Sequence, residues 1–385
     1  MDRKILFVNS KYGFFGGVER YIYDTASLLK RGGWKCYGVF EGATDNTEGF
    51  GEPFESVSIG DTDAVKLGEI KGHNVNVAFV HKVSDPVLFE GLYKYFKVVT
   101  FIHDHDYYCI RRHKYFPVTR KNCSLAYNPI ICGICSGLIR KDGNSPIKIS
   151  PVHIKDYVKI FEMVKRSDMC FVMSEFMRQN LVMNGFNQIN TAKLYPVKYP
   201  AAQIVEAPKS KNLLYVGQII RGKGVDLLID AMTKVKSDCR LRIIGKGNDD
   251  GYVRSLINRR GLAGRVEMVG WCGDVGRYYE QSNVVVVPSR WQEPFGMIGV
   301  EAFSYGRPVV GFNVGGIGEW LKDMNNGFLV PEKDTARMAE RIDLLLEDTY
   351  IQREYGQNGY RMVKNRYNEE MFLEKFSSII GRLDV

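Results

Sequence analysis

Two glutamates stand out in the stretch Pro288-Ser289-Arg290-Trp291-Gln292-Glu293-Pro294-Phe295-Gly296-Met297-Ile298-Gly299-Val300-Glu301-Ala302. An apolar strand-like run ends at Pro288, Glu293 lies on the loop that follows, and a helix opens near Gly296. The first N–H groups of a helix have no intrahelical partner. With the macrodipole they draw an anion or a hydroxyl-rich ligand. Glu301 comes about five residues into that helix, roughly 7 Å along its axis. Carboxylates accept hydrogen bonds from paired hydroxyls, so Glu293 and Glu301 can hold the two ends of one extended ligand. A bare pair of glutamates at this spacing reads more simply as an acidic first turn and a solvent-facing side chain.

Other segments carry chemistry of matching kind. Gly217-Gln218-Ile219-Ile220-Arg221-Gly222-Lys223-Gly224 is a glycine loop with two cations, and Gly245-Lys246-Gly247 is a second such loop. A positioned cation stabilises a leaving group that gains negative charge. Gly13-Phe14-Phe15-Gly16-Gly17-Val18-Glu19-Arg20 precedes a helix, where Gly16 and Gly17 would let a backbone approach a phosphate. Thr100-Phe101-Ile102-His103-Asp104-His105 ends a strand with a histidine-aspartate pair, and a loop histidine beside an aspartate is the plainer reading of it.

The elements that must position these groups read as strands alternating with helices, twice over. Short apolar runs at 4–9, 36–40, 76–80, 97–102 and 169–173 predict buried parallel strands. Val18, Ile22, Ala26, Leu28 and Leu29 mark an amphipathic helix over 17–31, ended by Gly32-Gly33. Pro196, Pro200 and Pro208 lie in a polar stretch that predicts a linker. A second series follows: strands at 212–216, 240–244, 266–269, 283–287 and 308–311, helices at 224–236 and 296–305, and a mostly helical end over 334–382. Two βα series joined by a linker imply two doubly wound α/β domains. Ligands bind such sheets at the carboxyl ends of the strands, which makes a cleft between the domains the expected site.

With Pro294-Phe295-Gly296 after the first glutamate, the 288–302 stretch closely resembles the signature of family-4 retaining glycosyltransferases, the glycogen-synthase-like or sucrose-synthase-like enzymes of GT-B fold. Ser174-Glu175-Phe176-Met177, Gly315-Gly316-Ile317-Gly318-Glu319 and Asn326-Gly327-Phe328-Leu329-Val330 extend the likeness over most of the chain. The resemblance implies two Rossmann-like domains, an acceptor domain at 1–198 and a donor domain at 199–365, with helix 366–385 packing back on the first. It implies that Glu293 contacts the donor sugar and Glu301 the ribose. Phe295, Gly296, Met297, Ile298, Gly16, Gly17, Gly245 and Lys246 then fall at the donor site. Lys223 matches the lysine on the donor diphosphate. Gln218 stands where the family has an arginine, with Arg221 as a candidate replacement. His103 matches the family's histidine near the donor sugar, and His105 is the alternative. The implied reaction is metal-independent transfer with retention from a UDP- or GDP-sugar, with no cofactor required. The donor's phosphate oxygen is the base. A nucleotide-sugar epimerase of the same fold, or a non-catalytic nucleotide-sugar-binding protein, would share these features.

The chain has 385 residues and a formal net charge of +9, with segment 107–200 carrying 15 basic and 5 acidic residues. Such a region suits an anionic membrane face or a phosphorylated, lipid-linked acceptor, or is simply a solvated surface. This favours an acceptor in lipopolysaccharide or other cell-surface polysaccharide synthesis. No recognised nucleic-acid-binding motif accompanies the charge. The opening Met1-Asp2-Arg3-Lys4-Ile5-Leu6-Phe7-Val8 has too short an apolar run for a signal peptide, and no run suffices for a membrane span. The expected setting is cytoplasmic, with peripheral contact at the inner membrane face. Cys109, Cys123, Cys132 and Cys135 lie in a long loop, 107–148, with Arg111, Arg112, Lys114, Arg120 and Lys121. Four cysteines with one C-x2-C pair can form a structural zinc site, but the spacing is not that of a standard finger, and buried free thiols are the expectation.

Overall fold

The computed structural model describes residues 3–60, 63–116, 119, 121–137, 139–141, 149–151, 154–197 and 204–383. Arg120 of the basic loop and Pro200 of the linker lie outside the described residues. The chain divides into two compact units, Met1–Val197 with Glu369–Val385, and Lys198–Asn368.

The first unit is built on β1 (Arg3–Tyr12), β2 (Trp34–Ala43), β3 (Phe54–Ile59), β4 (Val77–Val80) and β5 (Lys97–Phe101), a short hairpin of β6 (Ile139–Lys141) and β7 (Ile149–Pro151), then β8 (Met169–Val172) and β9 (Thr191–Lys193). Seven strands form one parallel sheet in the order β3-β2-β1-β4-β5-β8-β9. β4 reads Val-Ala-Phe-Val and is buried at every position, as a parallel strand covered on both faces must be. Two edge strands, β3 and β9, go unread in the sequence. β3 is Phe-Glu-Ser-Val-Ser-Ile, half polar and half exposed, and carries no apolar run to mark it.

One face of this sheet is an aromatic layer. Phe7 pairs with Phe79 and Phe101 with Phe171 in the strand register. The final helix, Glu369–Ile380, covers part of that layer. Phe376 packs on Phe79, Phe171 and Trp34 with ring centroids 5.4, 6.1 and 5.6 Å apart. The ring is fully buried, and no polar group competes for its place. Phe376→Ala is expected to destabilise this unit by about 3–5 kcal/mol, the cost of a large core cavity, read as a lower midpoint in urea unfolding.

The second unit holds β10 (Asn212–Val216), β11 (Arg240–Ile244), β12 (Val266–Gly270), β13 (Val284–Val287), β14 (Val309–Phe312) and β15 (Gly327–Val330). Their order is β12-β11-β10-β13-β14-β15, all parallel, which is the doubly wound order of a Rossmann sheet. The helical end of the chain is three helices, Thr335–Glu347, Thr349–Arg366 and Glu369–Ile380. Asp334 and Asp348 cap the first two, each accepting a first-turn N–H, the exchange that starts a helix most cheaply. Among the described residues no helix is long and apolar enough to cross a membrane.

Candidate functional site

In the second unit the loops after β10, β11, β13 and β14 meet through their backbones. The loop after β10 closes as a 3-10 turn, Arg221–Lys223, and Gly224 follows at φ +70. A Cβ on Gly224 would lie 1.9 Å from the Pro288 carbonyl oxygen, so only glycine fits. The N–H groups of Arg290 and Trp291 both donate to the Gly222 carbonyl, at 3.0 and 3.2 Å. These contacts bring the loop after β13 onto the loop after β10.

The result is the pairing of Lys223 with Glu293. The ammonium stands 2.7 Å from Glu293 Oε1. The same oxygen accepts from Ser289 Oγ at 2.5 Å and Trp291 Nε1 at 2.9 Å. Burial alone would raise this carboxyl, but Lys223, Ser289 and Trp291 together hold it below the ordinary carboxylate value. Trp291 also lies under the Lys223 ammonium, 5.1 Å from ring centroid to Nζ, a cation–π contact. The loop after β14 fixes Glu293 from behind: Gly316 N–H donates to the Glu293 carbonyl at 2.6 Å. Ser289 and Trp291 were within the stretch singled out by sequence, but their aim at Glu293 depends on a tertiary turn.

The helix Met297–Ser304 starts at Gly296, which has φ +84 and offers no side-chain cap. Its first N–H groups thus remain for a ligand. Phe295 is buried and its carbonyl accepts from Trp320 Nε1 at 2.6 Å. Ile298 packs at the Gly217 turn. Glu301, on the same helix, accepts from the Tyr279 hydroxyl at 3.2 Å. Gly245 takes φ +139 and leaves no room for a Cβ against Gly217, so the two glycine loops are in backbone contact. Lys246 and Gln218 are both exposed there.

Arg221, the candidate for the missing arginine's place, is held by contacts of its own. Its Nε donates to Asp249 at 3.0 Å and its guanidinium stacks 4.2 Å over Tyr252. The sequence reading also passed over Arg290, which is buried and bonds both Asp226 oxygens, at 2.7 and 2.8 Å. That contact, from the one nitrogen Nη2 to both carboxylate oxygens, braces the loop that carries Glu293.

In the first unit, β4 and β5 end on adjacent histidines. His81 lies two residues beyond Phe79 and His103 two beyond Phe101, so the two-residue period of a strand puts both on the aromatic face. His81 Nδ1 and His103 Nε2 are 2.9 Å apart. His103 is partly exposed. Burial, then the neighbouring His81 and Lys82, hold it well below the ordinary imidazole value, so it is neutral at physiological pH. The alternative, His105, is buried and bonded to the Tyr108 hydroxyl at 2.7 Å, which makes it a core group. Lys82 bridges Asp104 and Asp106 at 2.5 and 2.6 Å. Burial and the neighbouring Asp104 push Asp106 up to about 6.

Gly16 and Gly17 are exposed at the start of helix Gly17–Arg31. The strained glycine of that loop is Gly13, at φ +106, where a Cβ would meet Thr44 and Asn46. Ser174 caps the helix Glu175–Met183.

The four clustered cysteines, Cys109, Cys123, Cys132 and Cys135, are free thiols and half-buried rather than fully buried. Among the described residues no group of three or more His, Cys, Asp or Glu side chains is placed to hold a metal.

Comparison with known proteins gives these loops a context. Residues 201–362 match the model of the family described as Glycosyl transferases group 1. An uncharacterized glycosyltransferase of Methanocaldococcus jannaschii is 26% identical over 366 residues, 86% of this chain and 89% of its own length. Among solved structures, HepE of Anabaena in complex with UDP superposes with a TM-score of 0.75 at 17% identity, over 99% of this chain and 100% of its own. The apo form of WaaB, a lipopolysaccharide outer core galactosyltransferase, gives 0.71 at 16% over the same shares.

Proposed function

We propose that this chain, a glycosyltransferase of GT-B fold, transfers a sugar with retention from a nucleoside diphosphate sugar to a hydroxyl of a lipid-linked or cell-surface glycan intermediate. The observation that carries the proposal is the Lys223–Glu293 pair beside an uncapped helix start. A diphosphate needs a cation and free N–H groups; a sugar needs a fixed carboxylate. Here two adjoining loops and a helix start offer all three.

In the reaction, Lys223 and the N–H groups at Met297 and Ile298 hold the departing diphosphate, whose charge grows as the glycosidic bond breaks. Glu293 takes the sugar hydroxyls and His103 hydrogen-bonds the sugar. Glu301 takes the ribose. The donor's own phosphate oxygen removes the acceptor's proton on the face from which the diphosphate leaves. Positioning and electrostatics then carry the step, with no metal. The similarity of the fold to HepE, whose structure holds UDP, favours a UDP-sugar. The basic character of segment 107–200 favours an anionic, lipid-linked acceptor, met at the inner membrane face by a cytoplasmic protein.

The test is a thermal-shift screen against UDP-, GDP-, ADP- and dTDP-sugars. Stabilisation by one class is expected, since ligand that binds only the folded state raises its stability. No shift with any would sink the proposal. The anomer of the product, read by NMR, checks retention. Within this site Glu301→Ala is expected to raise KM for the donor about tenfold with kcat nearly unchanged, because ribose contacts bind ground state and transition state alike. Steady-state kinetics in donor concentration decides it.

A further inference from the structure

We propose that His81 is a positioning residue that sets the tautomer of His103, so that His103 meets its ligand as an Nδ1–H donor and not as a base. Only the catalytic consequence rests on the function proposed above; the pairing itself does not.

The two rings are held side by side by β4 and β5, with His81 Nδ1 and His103 Nε2 at 2.9 Å. That distance requires one proton between them. His81 is fully buried, walled by Phe79 with centroids 4.5 Å apart and by Phe7 at 5.8 Å. This burial holds it neutral, down to about 3, and His103 is neutral for the same reason. A neutral imidazole has one N–H and one bare nitrogen. So the shared proton comes from one ring or the other, and the choice fixes the remaining two nitrogens.

His81 Nε2 decides it. This atom is buried and has no hydrogen-bond partner among the described residues. If His103 supplied the shared proton, His81 would carry its own on Nε2, leaving an N–H sealed among rings. Orphaned buried donors are the rarer defect in folded proteins. If His81 supplies it from Nδ1, Nε2 is a bare nitrogen and no buried donor is orphaned. His103 then accepts at Nε2 and carries its proton on Nδ1. Its lone pair is occupied, so it cannot take a proton from an acceptor hydroxyl. What remains on this partly exposed ring is a single N–H, which suits a sugar oxygen. The tautomer of a histidine follows from the bond its other nitrogen makes, and here that bond comes from a neighbouring strand.

The experiment is a two-bond 1H–15N spectrum of the full chain labelled at histidine, at pH 7.5, with His103 assigned by its loss in His103→Gln. The wild-type chain is expected to show His103 protonated on Nδ1. In His81→Leu that signature should give way to the Nε2–H form or a mixture of both. In His81→Asn, whose amide N–H can stand where Nδ1–H stood, it should return. Transfer should fall about tenfold in kcat in His81→Leu, the worth of one hydrogen bond, with KM little moved, and recover within about threefold in His81→Asn. His103 found protonated on Nε2 in the wild-type chain overturns the proposal. So does an unchanged tautomer in a folded His81→Leu. The wild-type spectrum keeps the test decisive should His81→Leu fail to fold. If the tautomer is as stated but His103→Gln transfers sugar as fast as wild type, the assigned role of His103 in the reaction fails instead.

Discussion

Glu293→Gln is expected to lower sugar transfer by about 10²–10³-fold, the loss seen when one fixed electrostatic group is removed from a reacting centre. The amide has the same shape. Its oxygen can still accept from Ser289 and Trp291, which now reach Oε1 of the carboxylate at 2.5 and 2.9 Å. What it lacks is charge opposite Lys223, and a second oxygen free to take a sugar hydroxyl. Loss confined to the reaction would show as a fall in kcat with a small change in melting temperature. Turnover equal to wild type would remove Glu293 from the mechanism.

Lys223→Ala is expected to do two separate things. On the proposed mechanism transfer should fall by at least about 10²-fold, since the leaving diphosphate would lose its cation. Stability should also fall at neutral pH, by about 3 kcal/mol, because Glu293 is left charged and buried without its partner. The side chains are 18% and 5% exposed, so solvent does little to screen the pair. The pH dependence separates the two effects. In the wild-type chain the Glu293 carboxyl sits below its ordinary value of 4.5, burial notwithstanding, chiefly because of Lys223. A depressed carboxyl contributes stability above the unfolded value and loses it as pH falls through the folded one. In Lys223→Ala the carboxyl rises, and its protonated form is the one the pocket tolerates. The gap in melting temperature between the two proteins should therefore be widest near pH 7.5 and close as the pH falls below the ordinary carboxylate value and through the lowered folded one. A gap that does not vary with pH would mean that the ion pair is not its source.

Much of this site is local in sequence and could be read there. Glu293, Gly296 and Glu301 lie within one strand-loop-helix unit, where the spacing alone says little and Pro294-Phe295-Gly296 carries the family resemblance. Lys223 announces itself by the glycines on both sides of it. His81 does not, because Phe79-Val80-His81-Lys82 looks like the end of any buried strand. Its meaning depends on β4 lying beside β5, a pairing the sequence does not state. A usable signal was present all the same: both strands place a histidine two residues after a phenylalanine, on one face. Arg221 is the opposite case: its charge and position suggest a phosphate ligand, and its contacts with Asp249 and Tyr252, both after β11 in the chain, could not be read from the sequence. The edge strands β3 and β9 carry too few apolar residues to be marked as strands by the sequence.

The helix Glu369–Ile380 completes the aromatic layer of a unit that begins at the amino terminus. During translation, Phe7, Phe79, Phe101 and Phe171 leave the ribosome long before Phe376. At about 5–20 residues per second, roughly ten to forty seconds pass between the synthesis of Phe171 and that of Phe376. Through that interval Phe79 and Phe171 lack the cover of Phe376 and present an aromatic surface of the kind chaperones bind. The second unit, whose own sheet closes without help from elsewhere in the chain, is free to fold first. The order of folding in the cell would then run opposite to the order of synthesis.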